Sequence, residues 1–342
     1  MTEEELTDQQ DLYEHYRFTV DAGQTMLRID KYLSARLENT SRTRIQNAAV
    51  AGNIMVNKTA VKPSYKVKPG DVIQILLPVP PRDIDLIPED IPLNILYEDD
   101  DVIVINKEAG MVVHPAYGNY TGTLVNALMW HFKDLTLFST GELRPGLVHR
   151  LDKNTSGILV AAKNEIAQNR LARQFFNRRT GRIYNALVWG VPDPPEGTIT
   201  GHIGRNLKDR KIMQVFPDGS QGKHAVTHYR VIESFGYVSL VECRLETGRT
   251  HQIRAHFSHI RHPLFNDAEY GGDKILRGTT FSKYQQFVKN CFAILPRQAL
   301  HARTLSFDHP SKGERMTFET ELPEDMKQVI GKWREYTTGG LT

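Results

Sequence analysis

Apolar spacing changes character several times along the chain, and each change marks an element. Ile29, Leu33 and Leu37 recur at i, i+4 and i+8, which predicts an amphipathic helix, and a second helix is expected over 43–49 after a start signal at Ser41. Beyond Gly52, Ile54-Met55-Val56-Asn57-Lys58 reads as a short strand entering a turn, and 66–75 as a turn plus closing strand. Pro78, Pro80, Pro81, Pro88 and Pro92, mixed with acids, predict a stiff extended linker over 79–92. Past it, strands are expected at 102–105, 158–162, 183–189, 226–232 and 238–245, and helices at 124–132, 165–176, 251–259 and 284–289.

Strands that arrive in clusters, without regular βαβ alternation, predict an α+β fold. Its main domain, 93–330, should hold a mixed, mostly antiparallel sheet flanked by helices and loops, preceded by a small α/β unit at 26–78. Residues 1–25 are expected to be an acidic mobile tail leading into a first strand near Tyr16 and Phe18, and 331–342 a C-terminal tail. No internal repeat and no Gly-rich nucleotide-binding loop is evident.

Charge sharpens this division. The 342 residues carry a net +3, but 1–25 hold seven acids against Arg17, a local −6, so the rest carries +9. The unit at 26–78 alone has nine basic residues against three acids. So much positive charge in so small a module suits phosphates, although scattered Lys and Arg also describe a solvated surface. Two cysteines, Cys243 and Cys291, are too few for a disulfide framework or a zinc site, and neither a signal peptide nor a membrane span is visible. A soluble protein of the reducing cytosol is expected.

The chemistry concentrates in Gly146-Leu147-Val148-His149-Arg150-Leu151-Asp152-Lys153-Asn154-Thr155-Ser156-Gly157. Turn residues at both ends and a buried strand at 158–162 put one carboxylate, Asp152, on a rigidly supported basic loop. By residue type alone, a turn cap or a pair with Lys153 describes Asp152 equally well.

Two resemblances change the weighting. Arg28-Ile29-Asp30-Lys31-Tyr32-Leu33, Ser41-Arg42-Thr43, Gly52 through Asn57 and Lys68-Pro69-Gly70-Asp71 resemble, in order and spacing, a small RNA-binding domain. That domain was first described in a small-subunit ribosomal protein and also ends bacterial tyrosyl-tRNA synthetases. Lys58 stands where that family often has the Gly of an Asn-Gly turn, so a different turn type is expected.

The second covers nearly the whole chain. His149-Arg150-Leu151-Asp152 with Thr155-Ser156-Gly157, Arg182-Ile183-Tyr184-Asn185-Ala186-Leu187-Val188, Thr247 through His256, and Arg297-Gln298-Ala299-Leu300-His301-Ala302 resemble the motifs of the RluA/RluD pseudouridine synthases. The resemblance implies Asp152 as nucleophile or stabiliser of charge at the sugar, and Arg254 as its countercharge. Tyr184 would stack on the base and take the proton lost in rearrangement, and Arg150 would fill the space left by a flipped uridine. The reaction needs no metal, redox step or cofactor, and a single carboxylate suffices because nothing is hydrolysed.

Candidate RNA contacts are His149, Arg150, Arg28, Lys31, Arg42, Arg44, Arg170, Arg173, Arg178 and Arg249, with Arg179 and Arg182 continuing an outward basic track after the helix at 165–176. Placing the RNA-binding module ahead of this catalytic domain most resembles synthases acting on large-subunit ribosomal RNA, with transfer RNA as the alternative. Two departures are noted: Glu108 replaces the proline usual after Lys107, and 274–295 is longer than the family suggests and could alter substrate contacts. Two rival classes are weighed. The cluster His251, His256, His259 and His262 raises a metal hydrolase, disfavoured by the absence of an i, i+4 pair. A non-catalytic RNA-binding or ribosome-assembly factor would show the same basic modules.

Overall fold

A computed structural model of the chain describes residues 13–37, 42–77, 86–115, 119–135, 137, 145–206 and 212–339. The chain divides into two compact units, 1–85 together with 116–120, and 86–115 together with 121–342.

The small unit contains β1 (Tyr13–Thr19), α1 (Ile29–Ser34), α2 (Arg42–Val50), β2 (Ile54–Val56), β3 (Thr59–Ala60) and β4 (Val72–Leu77), with sheet order β1-β4-β2-β3. Ile29, Tyr32, Leu33, Ile45 and Ala49 from the helices meet Ile54, Val56, Ile73 and Ile75 from the sheet in one core. Part of the expected acidic tail is therefore structured. Tyr13 through Thr19 pair antiparallel with β4, and Tyr13 and Val20 are buried, because the open edge of β4 satisfies their backbone groups whatever their side-chain charge. Residues 1–12 lie outside the described residues.

The turn between β2 and β3 also departs from expectation. Asn57 and Lys58 both have positive φ, 49° and 67°, between paired Val56 and Thr59. This is the two-residue left-handed hairpin turn that Asn-Gly usually makes, here with a lysine in the second place.

Asp30 organises the helices. It is fully buried and accepts from Arg28 Nε and Nη2 at 3.1 and 3.0 Å, Arg42 Nη2 at 3.0 Å, Gln46 Nε2 at 2.7 Å and the Lys31 backbone N–H at 2.9 Å. Burial opposes its charge, yet Arg28, Gln46 and Arg42 overcome this and hold the carboxyl well below the ordinary range.

In the large unit the chain runs β5 (Ile95–Glu98), β6 (Val102–Lys107), α3 (Leu124–His131), β7 (Ser156–Ala162), α4 (Glu165–Phe176), β8 (Gly181–Trp189), β9 (Glu196–Arg205), β10 (Met213–Phe216), β11 (Lys223–Ser234), β12 (Val238–Leu245), α5 (Gln252–His259), α6 (Ser282–Ile294), β13 (Leu300–Asp308), β14 (Arg315–Glu319) and α7 (Glu324–Thr338). Among the described residues the sheet order is β10-β9-β11-β12-β8-β13-β7-β6-β5, with β14 on β13, and β13 with β7 is the one parallel pair. The α+β, mostly antiparallel fold follows as expected.

Both faces of its centre are covered. Val102 and Val104 of β6 pack with Ala167 and Leu171 of α4, whereas Ile103 and Ile105 face Leu124 and Leu128 of α3, the period-two alternation of a strand buried on both sides. Three boundaries move. Leu86 and Leu93 pack on the α3 side, and Asn126 Nδ2 donates to the Ile87 carbonyl at 2.7 Å, so 86–92 belong to this unit. The rest of the expected linker, 79–85, lies outside the described residues. The expected C-terminal tail is mostly helix: Met326, Val329, Ile330 and Trp333 line one face of α7, and Trp333, wholly buried, meets Phe287 edge-on at 4.8 Å. The long segment 274–295 supplies α6, whose Tyr284, Val288 and Cys291 join that core.

Candidate active site

Loop 145–155 is pinned from several sides. The Ala162 N–H donates to the Gly146 carbonyl at 2.8 Å, and the Thr155 N–H to the Asp152 carbonyl at 3.0 Å. Beneath it lies Lys107, 1% exposed, whose Nζ donates to the carbonyls of Glu108 (2.7 Å), Met111 (2.9 Å) and Lys153 (3.2 Å). Burial pushes this ammonium down to about 7, while Asp152 favours its charge and three carbonyl acceptors hold its protons.

The segment 297–302 meets the loop's far end. Arg297 Nη1 donates to the Asn154 carbonyl at 3.0 Å while its other nitrogens grip Asp325 at 2.7 and 2.9 Å. Ser156 Oγ lies 2.9 Å from His301 Nδ1. Gly157, at φ 120°, lies so close to β13 that a Cβ there would stand 2.2 Å from the Ala302 carbonyl oxygen. Only glycine fits.

The Asp152 side chain, 17% exposed, faces two residues of the segment at 251–254. Arg254 Nη1 is 3.5 Å from Oδ2, and His251 Nε2 is 3.8 Å from Oδ1. Both are long for hydrogen bonds. Burial opposes the charge of Asp152, but the positive surroundings of His251, Arg254 and Arg150 win, and the carboxyl lies below its ordinary range. Burial drives His251 itself toward the neutral form, so at neutral pH the permanent charges of Arg254 and Arg150 keep Asp152 ionised.

Arg254 lies inside the fold. Only 4% exposed, it is clamped by buried Asp267 through Nε (2.7 Å) and Nη2 (2.8 Å), is bonded to half-exposed Glu269, and lies over the Tyr270 ring at 4.8 Å. Sequence reasoning missed Asp267, Glu269, Tyr270, His251 and the buried position of Lys107. Two acids and a tyrosine within 267–270, following a helix that ends in basic residues, were the signal available.

Tyr184, on β8 between Cys243 and Ala302, is partly buried where two apolar clusters meet. Burial raises its phenol, Arg182 opposes this and Asp152 adds to it, so the ring stays protonated.

His149 also changes role. Its Nε2 accepts from the Val160 N–H at 3.1 Å, its ring stacks on Phe175 at 4.5 Å, and burial pushes it down to about 3, so it is a neutral prop for the loop and brings no charge to a phosphate. Arg182, expected on the outward track, is buried, with Nη2 3.3 Å from the Glu246 carbonyl. Arg170, Arg173, Arg178 and Arg179 are exposed, although Arg170 is tied to the Pro310 carbonyl (2.7 Å) and Arg179 to Asp308 (3.1 Å). Arg249, partly buried, donates from Nε to the His224 carbonyl at 3.1 Å. Lys31 and Arg44 are exposed, and Arg28 and Arg42 are about half exposed while serving Asp30. The four histidines of the metal alternative diverge: His256 Nδ1 meets Thr227 Oγ1 at 2.9 Å and His262 Nδ1 the Trp189 carbonyl at 2.7 Å.

The mixed sheet thus presents one ionised, under-bonded carboxylate among arginines, an arrangement suited to nucleophilic chemistry on a polar substrate. Comparison with known proteins agrees. Residues 101–259 match the RNA pseudouridylate synthase family and 27–73 the S4 domain. An uncharacterized RNA pseudouridine synthase of Chlorobaculum parvum is 50% identical over 93% of this chain and 98% of its own length. Ribosomal large subunit pseudouridine synthase D of Zymomonas mobilis is 42% identical over 89% and 92%. The structure of human RNA Pseudouridylate Synthase Domain Containing 4 superposes with a TM-score of 0.51 at 26% identity, over 70% of this chain and 93% of that one. The chain belongs to the RluA/RluD family of RNA pseudouridine synthases and carries an N-terminal S4 domain.

Proposed function

We propose that the protein isomerises specific uridines of large-subunit ribosomal RNA, with Asp152 as the nucleophile. The observation that carries the chemistry is the state of Asp152: ionised, partly accessible, and bonded by nothing closer than the 3.5 Å contact to Arg254. A carboxylate so placed has an oxygen left to attack. The C1′–N1 bond breaks, the uracil turns over, and C1′ joins C5; C5 loses its proton and N1 gains one, so nothing is consumed.

A duplexed or stacked uridine cannot reach this loop, so it must flip out. Arg150, two residues before Asp152, is the group we assign to the vacated stack, and Tyr184 to the face of the flipped base. Exposed Arg173 and Arg178, with Lys31 and Arg44 of the S4 domain, are assigned to phosphates. The ribosomal substrate is favoured by the S4 domain and by relatives named as large-subunit synthases. We place the protein in the reducing cytosol, in keeping with Cys243 and Cys291 being buried free thiols.

The test is to map pseudouridines in ribosomal and transfer RNA from cells with the protein, without it, and with only Asp152→Asn. Sites in large-subunit RNA should vanish in the last two. Sites lost from transfer RNA alone would replace the substrate, and full modification by Asp152→Asn would remove the nucleophile.

A further inference from the structure

The environment of His251 is more specific than a charge near the nucleophile requires. His251 precedes α5 in the left-handed conformation, φ 53°, which non-glycine residues seldom adopt. That conformation holds the ring between two partners. On one side, Nδ1 lies 3.0 Å from the Tyr270 hydroxyl, the rings edge-on at 77°. On the other, Nε2 faces Asp152 Oδ1 at 3.8 Å.

The Tyr270 hydroxyl already accepts the backbone N–H of Met213, the first residue of β10, at 2.9 Å. Burial keeps the phenol protonated, and its proton points to the nearby acceptor, Nδ1. A neutral imidazole that accepts at Nδ1 carries its own proton on Nε2. The charged groups facing the ring are Asp152 from the loop, Arg254 from α5, and Asp267 and Glu269 from the following turn. Burial, with Arg254, outweighs the pull of Asp152, Asp267 and Glu269, whose Oε2 is 3.9 Å from Nδ1, toward a second proton there, and the Tyr270 proton opposes it as well.

We infer that His251 is a positioning residue for Asp152, fixed by Tyr270 and the β10 backbone as the Nε2–H tautomer so that it presents a neutral donor to the carboxylate oxygen Arg254 does not face. Arg254 addresses Oδ2 and His251 addresses Oδ1, so the two set the rotation of the carboxylate about its bond to Cβ. A neutral donor does this without quenching the nucleophile as a second cation would. The inference rests on the reading of Asp152 as nucleophile.

The experiment measures single-turnover pseudouridine formation on a large-subunit RNA transcript by the full chain, with RNA affinity and melting temperature as checks on folding. His251→Ala should slow the chemical step about 10- to 100-fold, as loss of an oriented donor does, with RNA affinity within about twofold. His251→Gln, whose amide can still donate, should recover most of the rate. Tyr270→Phe should be slow at neutral pH, because the released imidazole can carry its proton on Nδ1 and leave Asp152 without a donor.

A wild-type rate for His251→Ala, a glutamine variant as slow as alanine, or a wild-type rate for Tyr270→Phe would each overturn the inference. If Tyr270→Phe does not fold, the two His251 variants decide. An inactive Asp152→Asn beside an unaffected His251→Ala removes only this inference, whereas an active Asp152→Asn removes the reading beneath it.

Discussion

Asp30 in the S4 domain and Asp152 in the catalytic domain are both ionised carboxylates set among arginines, yet their hydrogen bonding differs completely. Asp30 is fully buried and takes donors from Arg28, Arg42, Gln46 and its neighbour's backbone, none longer than 3.2 Å. Asp152 keeps a sixth of its side chain exposed, and its two approaches are 3.5 and 3.8 Å. Its arginine is spent elsewhere, on Asp267 and Glu269. A saturated carboxylate has no lone pair to offer and serves the fold. An unsaturated one held charged by fixed cations is costly to keep and ready to react.

Substitutions should separate the two. Asp152→Asn is expected to lower the rate by about 10³-fold or more while changing stability by less than about 1 kcal/mol, since little native bonding is lost. Single-turnover assays and denaturant melts on one preparation would check both halves. A large stability loss would place Asp152 in Asp30's category. Asp267→Ala should leave Arg254 buried beside an empty site, costing about 3–5 kcal/mol, with activity falling as well because Arg254 then swings toward Asp152. Urea unfolding measures the first effect and the assay the second.

Lys107→Met tests whether the loop beneath Asp152 depends on the buried ammonium. Three carbonyls lose their donor, and we expect a cost of about 2–3 kcal/mol with a slower chemical step, read by the same pair of experiments. Asp30→Asn should cost about 2 kcal/mol in the S4 domain, less than a fully buried pair because its arginines are nearly half exposed, and leave the catalytic domain's transition in place.

The same residue predicts a pH dependence. The native carboxyl of Asp30 titrates below its unfolded value of about 3.9, so its contribution is complete above that value and disappears as pH falls through the native one. Acid melts of wild type should show this loss below about pH 4, and Asp30→Asn should flatten it. The smallest effect is expected at the hairpin turn, where Lys58→Gly should relieve a left-handed lysine and stabilise the S4 domain by about 0.5–1 kcal/mol in a thermal melt.

Much of this architecture was legible along the chain. Strands β6, β7, β8 and β12 and helices α3 and α4 carry their own periodicity, and the motif around Asp152 announces itself by turn residues and charge. Strands β5, β9, β10, β13 and β14 were missed because their apolar runs are short or interrupted by charged, polar or glycine positions, and their pairing depends on neighbours remote in sequence. Helix α7 was missed altogether: its stripe runs on to Trp333 and so straddles the assumed domain end at 330.

By itself the sequence determined the central strands and helices, the two units and the candidate carboxylate Asp152, because these depend on spacing and residue type within short windows. The tertiary structure alone decided how that carboxylate is held. Arg254 is 102 residues from Asp152, and Arg297 is 143 from the Asn154 carbonyl it supports. It also turned His149 and Arg182 from expected RNA contacts into internal supports, and gave Arg254 a buried clamp of acids. Exposure, hydrogen-bond satisfaction and the fields that set protonation are properties of atoms brought together in space, so no window of the chain contains them.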